Sequence, residues 1–357
     1  MRVYDETRAD GGVHEQIAEA KSKLGADLLI LGHHYQQDDV IRHADQKGDS
    51  LQLARQAAQN RIAKYIVFCG VHFMAETADI LTEDRQVVIL PDLGAGCFLA
   101  DQANINQVCA AWDTLSSVTD EKITPITYVN SEAALKAFCG ERGGAVCTSS
   151  NARGVIQWGF EGSGKVFFFP DQHLGRNTAY QMGVPLEEMI VWDPELENGG
   201  NDKRAIRQAR VILWKGHCDV HHEFQESFVE TIREKHPDIR IFVHPECNFN
   251  VCQKADLVSS TGGIINAVKQ AEPGTKIAIG TEHHLVNRLR NDHPDLDIVS
   301  LASFVCKCET MYKINPLNLR DCLVNLVQGK IVNQITVPVD TAKAARVALD
   351  RMLSMVS

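Results

Sequence analysis

No apolar stretch in this chain approaches the roughly 20 residues that a membrane-crossing helix requires, and its charges form no long block of one sign. The formal net charge is −10, which argues against nucleic acid or an anionic membrane as a partner. Aromatic residues are few, 6%, beside 44% hydrophobic and 23% charged residues, the composition of an ordinary globular protein. The opening segment, MRVYDETRADGG, is acidic and polar and does not read as a signal or transit peptide. A CxxC pair is missing, and the eleven cysteines are an odd number. Neither fits a small disulfide scaffold, and without an export signal the thiols are expected to be reduced in the cytoplasm.

What is present is a series of short apolar runs, each ending in a polar loop that opens a helix-like segment. They start at 26, 63, 85, 123, 144, 165, 209, 238, 255, 275 and 296, among them ADLLILGHH, AKYIVFCG, ITPITY, KVFFFP and ARVILW. β-rich runs alternating with helical periods predict buried parallel strands in βα units. A length of 357 residues allows two or three domains.

The runs fall into three sets. Each opens with a strand whose end carries His or Tyr and a second polar residue: His33 and Tyr35, Tyr128 and Asn130, His244 and Glu246. Each closes with a strand followed by a cysteine: Cys97, Cys218, and Cys306 or Cys308. Three α/β/α domains of one topology are predicted over residues 13–105, 106–222 and 223–312, with a C-terminal helical segment at 313–357 packed back on the body. Reactive groups collect at the carboxyl ends of parallel strands. Three like domains with those ends turned inward, in pseudo-threefold fashion, would bring one cysteine from each to a common metal site.

Three thiolates favour zinc or an iron–sulfur cluster. A cluster held by three cysteines leaves one iron open as a Lewis acid. Zinc could instead draw on Cys218 with His217, His221 or His222 in a lyase or aldolase, and a non-catalytic iron–sulfur sensor is a third possibility. In WKGHCDVHHEF (214–224) the histidines are expected to start a helix capped by Asp219. GFEGSGKV (159–166) nearly matches a phosphate loop, but Val166 replaces the needed Ser or Thr and the strand follows the motif, so a surface turn is expected. CTSSNA (147–152) and SSTGG (259–263) offer hydroxyls and amides at expected helix starts, suited to phosphate or carboxylate.

Taken in order, GHHYQ, FMAET, DLGAGCFLADQ, TYVNSEAALKA, CTSSNA, PDQHLGR, WKGHCDVHHEF, HPEC, SSTGG and CETMYKI resemble the quinolinate synthases, from about residue 25 to the C-terminal helix, most nearly their longer bacterial form. The resemblance implies a cytoplasmic transferase of de novo NAD biosynthesis that condenses iminoaspartate with dihydroxyacetone phosphate, losing phosphate and water. It implies a [4Fe–4S] cluster on Cys97, Cys218 and Cys308, with Cys306 two residues from the third ligand where relatives usually show CxxC. It also implies catalytic roles for His33, Tyr35 and Glu246. Substrate contacts are implied for His33, Ser50, Tyr128, Asn130, Ser149, His244, Glu246, Ser260 and Thr261. L-aspartate oxidase or dehydrogenase is the implied supplier of iminoaspartate.

Overall fold

The computed structural model describes residues 11–355. All eleven apolar runs contain strands, grouped into three small sheets flanked by helices. The first sheet holds β1 (Leu28–His33), β2 (Gln46–Gly48), β3 (Tyr65–Cys69) and β4 (Val87–Ile89). The second holds β5 (Ile123–Tyr128), β6 (Ala145–Cys147), β7 (Lys165–Phe169), β8 (Met189–Trp192) and β9 (Val211–Trp214). The third holds β10 (Arg240–Val243), β11 (Leu257–Val258), β12 (Lys276–Gly280) and β13 (Asp297–Ser300). A last strand, β14 (Gln334–Ile335), joins the first sheet antiparallel to β4. Every other pairing is parallel.

The strand orders are β14-β4-β3-β1-β2, β6-β5-β7-β9-β8 and β11-β10-β12-β13. Stripped of β8 and β14, all three share one pattern: second strand at the edge, then first, third and fourth. The middle set is the longest of the three. It inserts β8 as an extra edge strand, followed by a short turn at Glu197–Gly200 and the helix Lys203–Gln208.

The chain forms two compact units. One comprises residues 1–96 and 309–336 and carries the first sheet; the other comprises 97–308 and 337–357 and carries the second and third. In the latter, Phe167, Phe168, Phe169 and Trp214 are fully buried between sheet and helices. The C-terminal helix Val339–Ser354 packs on the helix Ala133–Glu141, burying Ala345, Ala348, Leu349 and Met352. Gly140 permits this approach, since a Cβ there would lie 1.9 Å from the Ala344 carbonyl oxygen. GFEGSGKV is not a surface turn. It is the end of the helix Ala152–Ser163, a left-handed Gly164 and the start of β7, and Lys165 is buried against the Ile206 and Arg207 carbonyls. Among the described residues no helix is long and apolar enough to cross a membrane.

Candidate active site

The three cysteine loops are built alike. After each third strand comes a ten-residue helix: His72–Leu81, Gln172–Gln181 and His283–Asp292. The first residue of each helix donates its backbone N–H to a carbonyl in the loop after the fourth strand of the same set. The pairs are His72 to Ala95 at 2.8 Å, Gln172 to Gly216 at 2.9 Å and His283 to Cys306 at 2.8 Å. Each acceptor stands two residues before a cysteine, so Cys97, Cys218 and Cys308 occupy equivalent positions and Cys306 matches Ala95 and Gly216. Burial agrees with this: Cys306 is 5% exposed within the apolar core of the third sheet, whereas Cys97, Cys218 and Cys308 are half-buried. Gly216 is required, because a Cβ would meet the Pro170 carbonyl oxygen at 2.2 Å.

In the second unit these cysteines come together. Gln102, five residues after Cys97, grips the backbone of His217: its amide donates to the His217 carbonyl at 2.7 Å and its oxygen accepts the His217 N–H at 3.3 Å. Cys218 and Cys308 pack against the same core cluster. Burial raises the Cys97 thiol well above its usual range, with Cys308 and Glu246 adding to the shift. Burial also raises Cys218, with Glu246, Asp219 and Cys97 adding. Ionised together, these thiols would call for a cation, which a soft metal would supply. No disulfide forms among the described residues. The donor set fits a soft metal centre.

Beside the thiols lies a buried polar cluster at the ends of β5 and β10. Glu246 is 2% exposed; it takes hydrogen bonds from His221 Nδ1 at 2.6 Å and from Tyr128, and lies 3.6 Å from His244 Nδ1. Burial opposes its ionisation, but the hydrogen bonds from His221 and Tyr128 hold the carboxyl below its usual range. A carboxylate only accepts, so His221 donates from Nδ1, while its Nε2 lies 3.0 Å from the Thr281 hydroxyl. The His221 and His244 rings stack at 4.4 Å. Burial pushes the His244 imidazole down to about 3, so it is neutral near pH 7. Asn130 has a buried Oδ1 without a hydrogen-bond partner. Cys218, His221 and Glu246 place one donor atom each within 4.8 Å of one another.

The anion-suited loops take their expected places. Ser149 follows β6, and the helix Ala152–Ser163 begins three residues later. Ser260 caps the helix Thr261–Lys269, accepting from the Gly263 N–H at 3.3 Å, and Thr261 is buried at its start. Asn151 serves the fold: its Oδ1 accepts from Thr148 and its Nδ2 donates to the Met352 carbonyl. In the other unit Ser50 opens the helix Ser50–Gln59 after β2, behind an Asp49 cap. There His33 ends β1, buried, and its Nδ1 accepts the Tyr35 N–H at 3.1 Å with the rings 4.8 Å apart.

Two contacts go beyond the sequence reading. His221, expected to open the helix after Cys218 and weighed as a zinc ligand beside it, is 1% exposed and touches both Cys218, at 3.3 Å, and Glu246. Its spacing three residues after Cys218 was the available signal, since one helical turn brings such residues together. The turn Asp219–His222 is capped by position at Cys218, not by Asp219, and no side chain caps it. Asn177 donates to the Pro245 and Cys247 carbonyls, both at 2.8 Å, and so clamps the backbone on either side of Glu246. Nothing local in PDQHLGRN announces that.

A parallel α/β protein with three thiols gathered beside a buried His–Glu–Tyr cluster is the class that fold and site define. The sequence matches the family of quinolinate synthetase A proteins (NadA) over residues 15–354. It is 54% identical to a quinolinate synthase of Anoxybacillus flavithermus over 342 residues, 96% of this chain and 93% of the relative. It is 54% identical to one of Rhodopirellula baltica over 355 residues, 96% and 91%. With one of Bacillus anthracis it shares 50% over 355 residues, 99% and 96%. The chain belongs to the quinolinate synthase family.

Proposed function

We propose that the chain condenses iminoaspartate with dihydroxyacetone phosphate to quinolinate, with loss of phosphate and water, as a cytoplasmic transferase of de novo NAD biosynthesis. The observation that carries this reading is the convergence of Cys97, Cys218 and Cys308 beside Tyr128, His244 and Glu246 in a chain of this family. Those three thiols would hold a [4Fe–4S] cluster, whose open iron supplies a Lewis acid for hydroxide departure. The chain's own groups move protons and bind anions. Glu246 is assigned a proton transfer with substrate by its place beside Tyr128, His221 and His244. His33 and Tyr35 are assigned the other transfers. Neutral His244, Tyr128 and Asn130 contact substrate. Ser50, Ser149, Ser260 and Thr261 offer hydroxyl and amide donors to its carboxylates and phosphate. The three sets of strands, at 13–105, 106–222 and 223–312, form three pseudo-threefold related domains around the cluster, with 313–357 docked on them. L-aspartate oxidase or dehydrogenase would supply iminoaspartate.

Anaerobic purification followed by iron, sulfide and zinc analysis and a quinolinate assay tests the reading. About four irons and four sulfides per chain with quinolinate formed are expected. A single zinc, for which Cys218, His221 and Glu246 are near enough, would instead indicate a zinc lyase. A loaded cluster without turnover would indicate a sensor.

A further inference from the structure

Two buried carboxylates stand behind the cysteine loops, and the chemistry above does not use them. Asp171 is fully buried and caps the helix Gln172–Gln181, its Oδ1 accepting from the Leu174 N–H at 2.8 Å. Glu282, 1% exposed, caps the helix His283–Asp292, its Oε2 accepting from the His284 N–H at 2.7 Å and the Leu285 N–H at 3.3 Å. Both occupy the same place in their sets, two residues past the third strand. Each carboxylate also faces the backbone N–H of a cysteine: that of Cys218 at Asp171 and that of Cys308 at Glu282.

Together with the bonds from Gln172 to Gly216 and from His283 to Cys306, this places each loop against one helix N-terminus at two points. The residue two before the cysteine is held by its carbonyl, and the cysteine N–H is turned towards the carboxyl group. Each carboxylate keeps a buried second oxygen, Asp171 Oδ2 and Glu282 Oε1, outside any hydrogen bond. An orphaned buried acceptor is costly, so closing the cysteine N–H onto it is favourable. The first set has only half of the device: Val71 stands at the equivalent position and caps nothing.

We infer that Asp171 and Glu282 are positioning residues that lock the Cys218 and Cys308 loops in the geometry for cluster binding, leaving Cys97 the less restrained ligand. The inference rests on the cluster reading. Partners behind metal ligands typically alter metal affinity 10- to 100-fold, and their loss loosens the ligands.

The test compares anaerobically loaded wild type with Asp171→Ser and Glu282→Ser, in which the helix keeps a capping hydroxyl that is too short for the cysteine N–H. Asp171→Asn and Glu282→Gln keep an acceptor in place. Asp202→Ala removes an ordinary cap, whose carboxylate accepts from Ala205 at 2.7 Å and faces no cysteine. Iron release to a ferrous chelator and the paramagnetic resonance of the reduced cluster are measured beside thermal melting. Expected are release about tenfold faster and an altered resonance in the serine variants, near wild-type values in the amides, and no change in Asp202→Ala. Should a serine variant not fold, Asp171→Glu and Glu282→Asp shift the acceptor by one methylene and must also quicken release. Wild-type release rates and resonance in the serine variants, or in those length variants, overturn the inference alone. A wild type that binds no iron overturns the cluster reading itself.

Discussion

Glu246 meets groups from separate strand ends: Tyr128 on β5 and His221 past β9 donate to it, and His244 past β10 lies beside it. A proton-transfer group acts in the transition state more than in binding. Glu246→Gln keeps size and loses basicity; it is expected to lower kcat by about 10²-fold while the cluster spectrum is unchanged. Wild-type kcat would leave Glu246 a binding group and move the chemistry to His33 and Tyr35. The equivalence of Cys97, Cys218 and Cys308 predicts that changing any of them to Ser abolishes cluster absorbance. Cys306→Ser and Cys252→Ser are expected to keep it, because both thiols lie in the core of the third sheet. Loss of the cluster in Cys306→Ser with retention in Cys308→Ser would reverse the third assignment.

Among the elements, the docking of Val339–Ser354 on Ala133–Glu141 depends on an absent side chain. Gly140→Ala favours an isolated helix, yet its Cβ would collide with the Ala344 carbonyl. The expected result is net destabilisation of about 1–3 kcal/mol in urea unfolding; a gain in stability would show that the helices separate at little cost. In the first sheet's unit, His43 Nε2 lies 2.8 Å from His14 Nδ1, and burial, with His14, Arg42 and Lys21, pushes it from 6.5 down to about 4. The unfolded chain therefore binds more protons between those values, and its stability contribution, full above pH 6.5, is lost as pH falls towards 4. His43→Gln should flatten that part of the curve of urea midpoint against pH; an unchanged slope would acquit His43. The elements also show what could be read in advance. The eleven strands with continuous apolar runs were legible because a strand buried on both faces needs them. β2 (QKG) and β14 (QI) were not, since they hold at most one apolar residue, and the four residues of β8 (MIVW) form no longer pattern.

For the whole molecule, the proposed cluster with its open iron predicts sensitivity to air. Activity and iron should be lost together on exposure, and quinolinate should slow the loss by occupying the site. Equal decay with and without saturating product would show that product does not reach the metal. Three sets of βα units, a cysteine after the last strand of each and the polar pairs after first strands could be read from the sequence alone. They could be read there because strand periodicity and loop position are local properties. Only the tertiary structure decided that Cys306 lies in the core while Cys308 does not. It also decided that His221 bridges Cys218 and Glu246, and that Asn177, Asp171 and Glu282 brace the loops from behind. Each of those outcomes depends on which chain segments meet across tens of residues, and a side chain's burial and partners are set by that meeting, which no local pattern encodes.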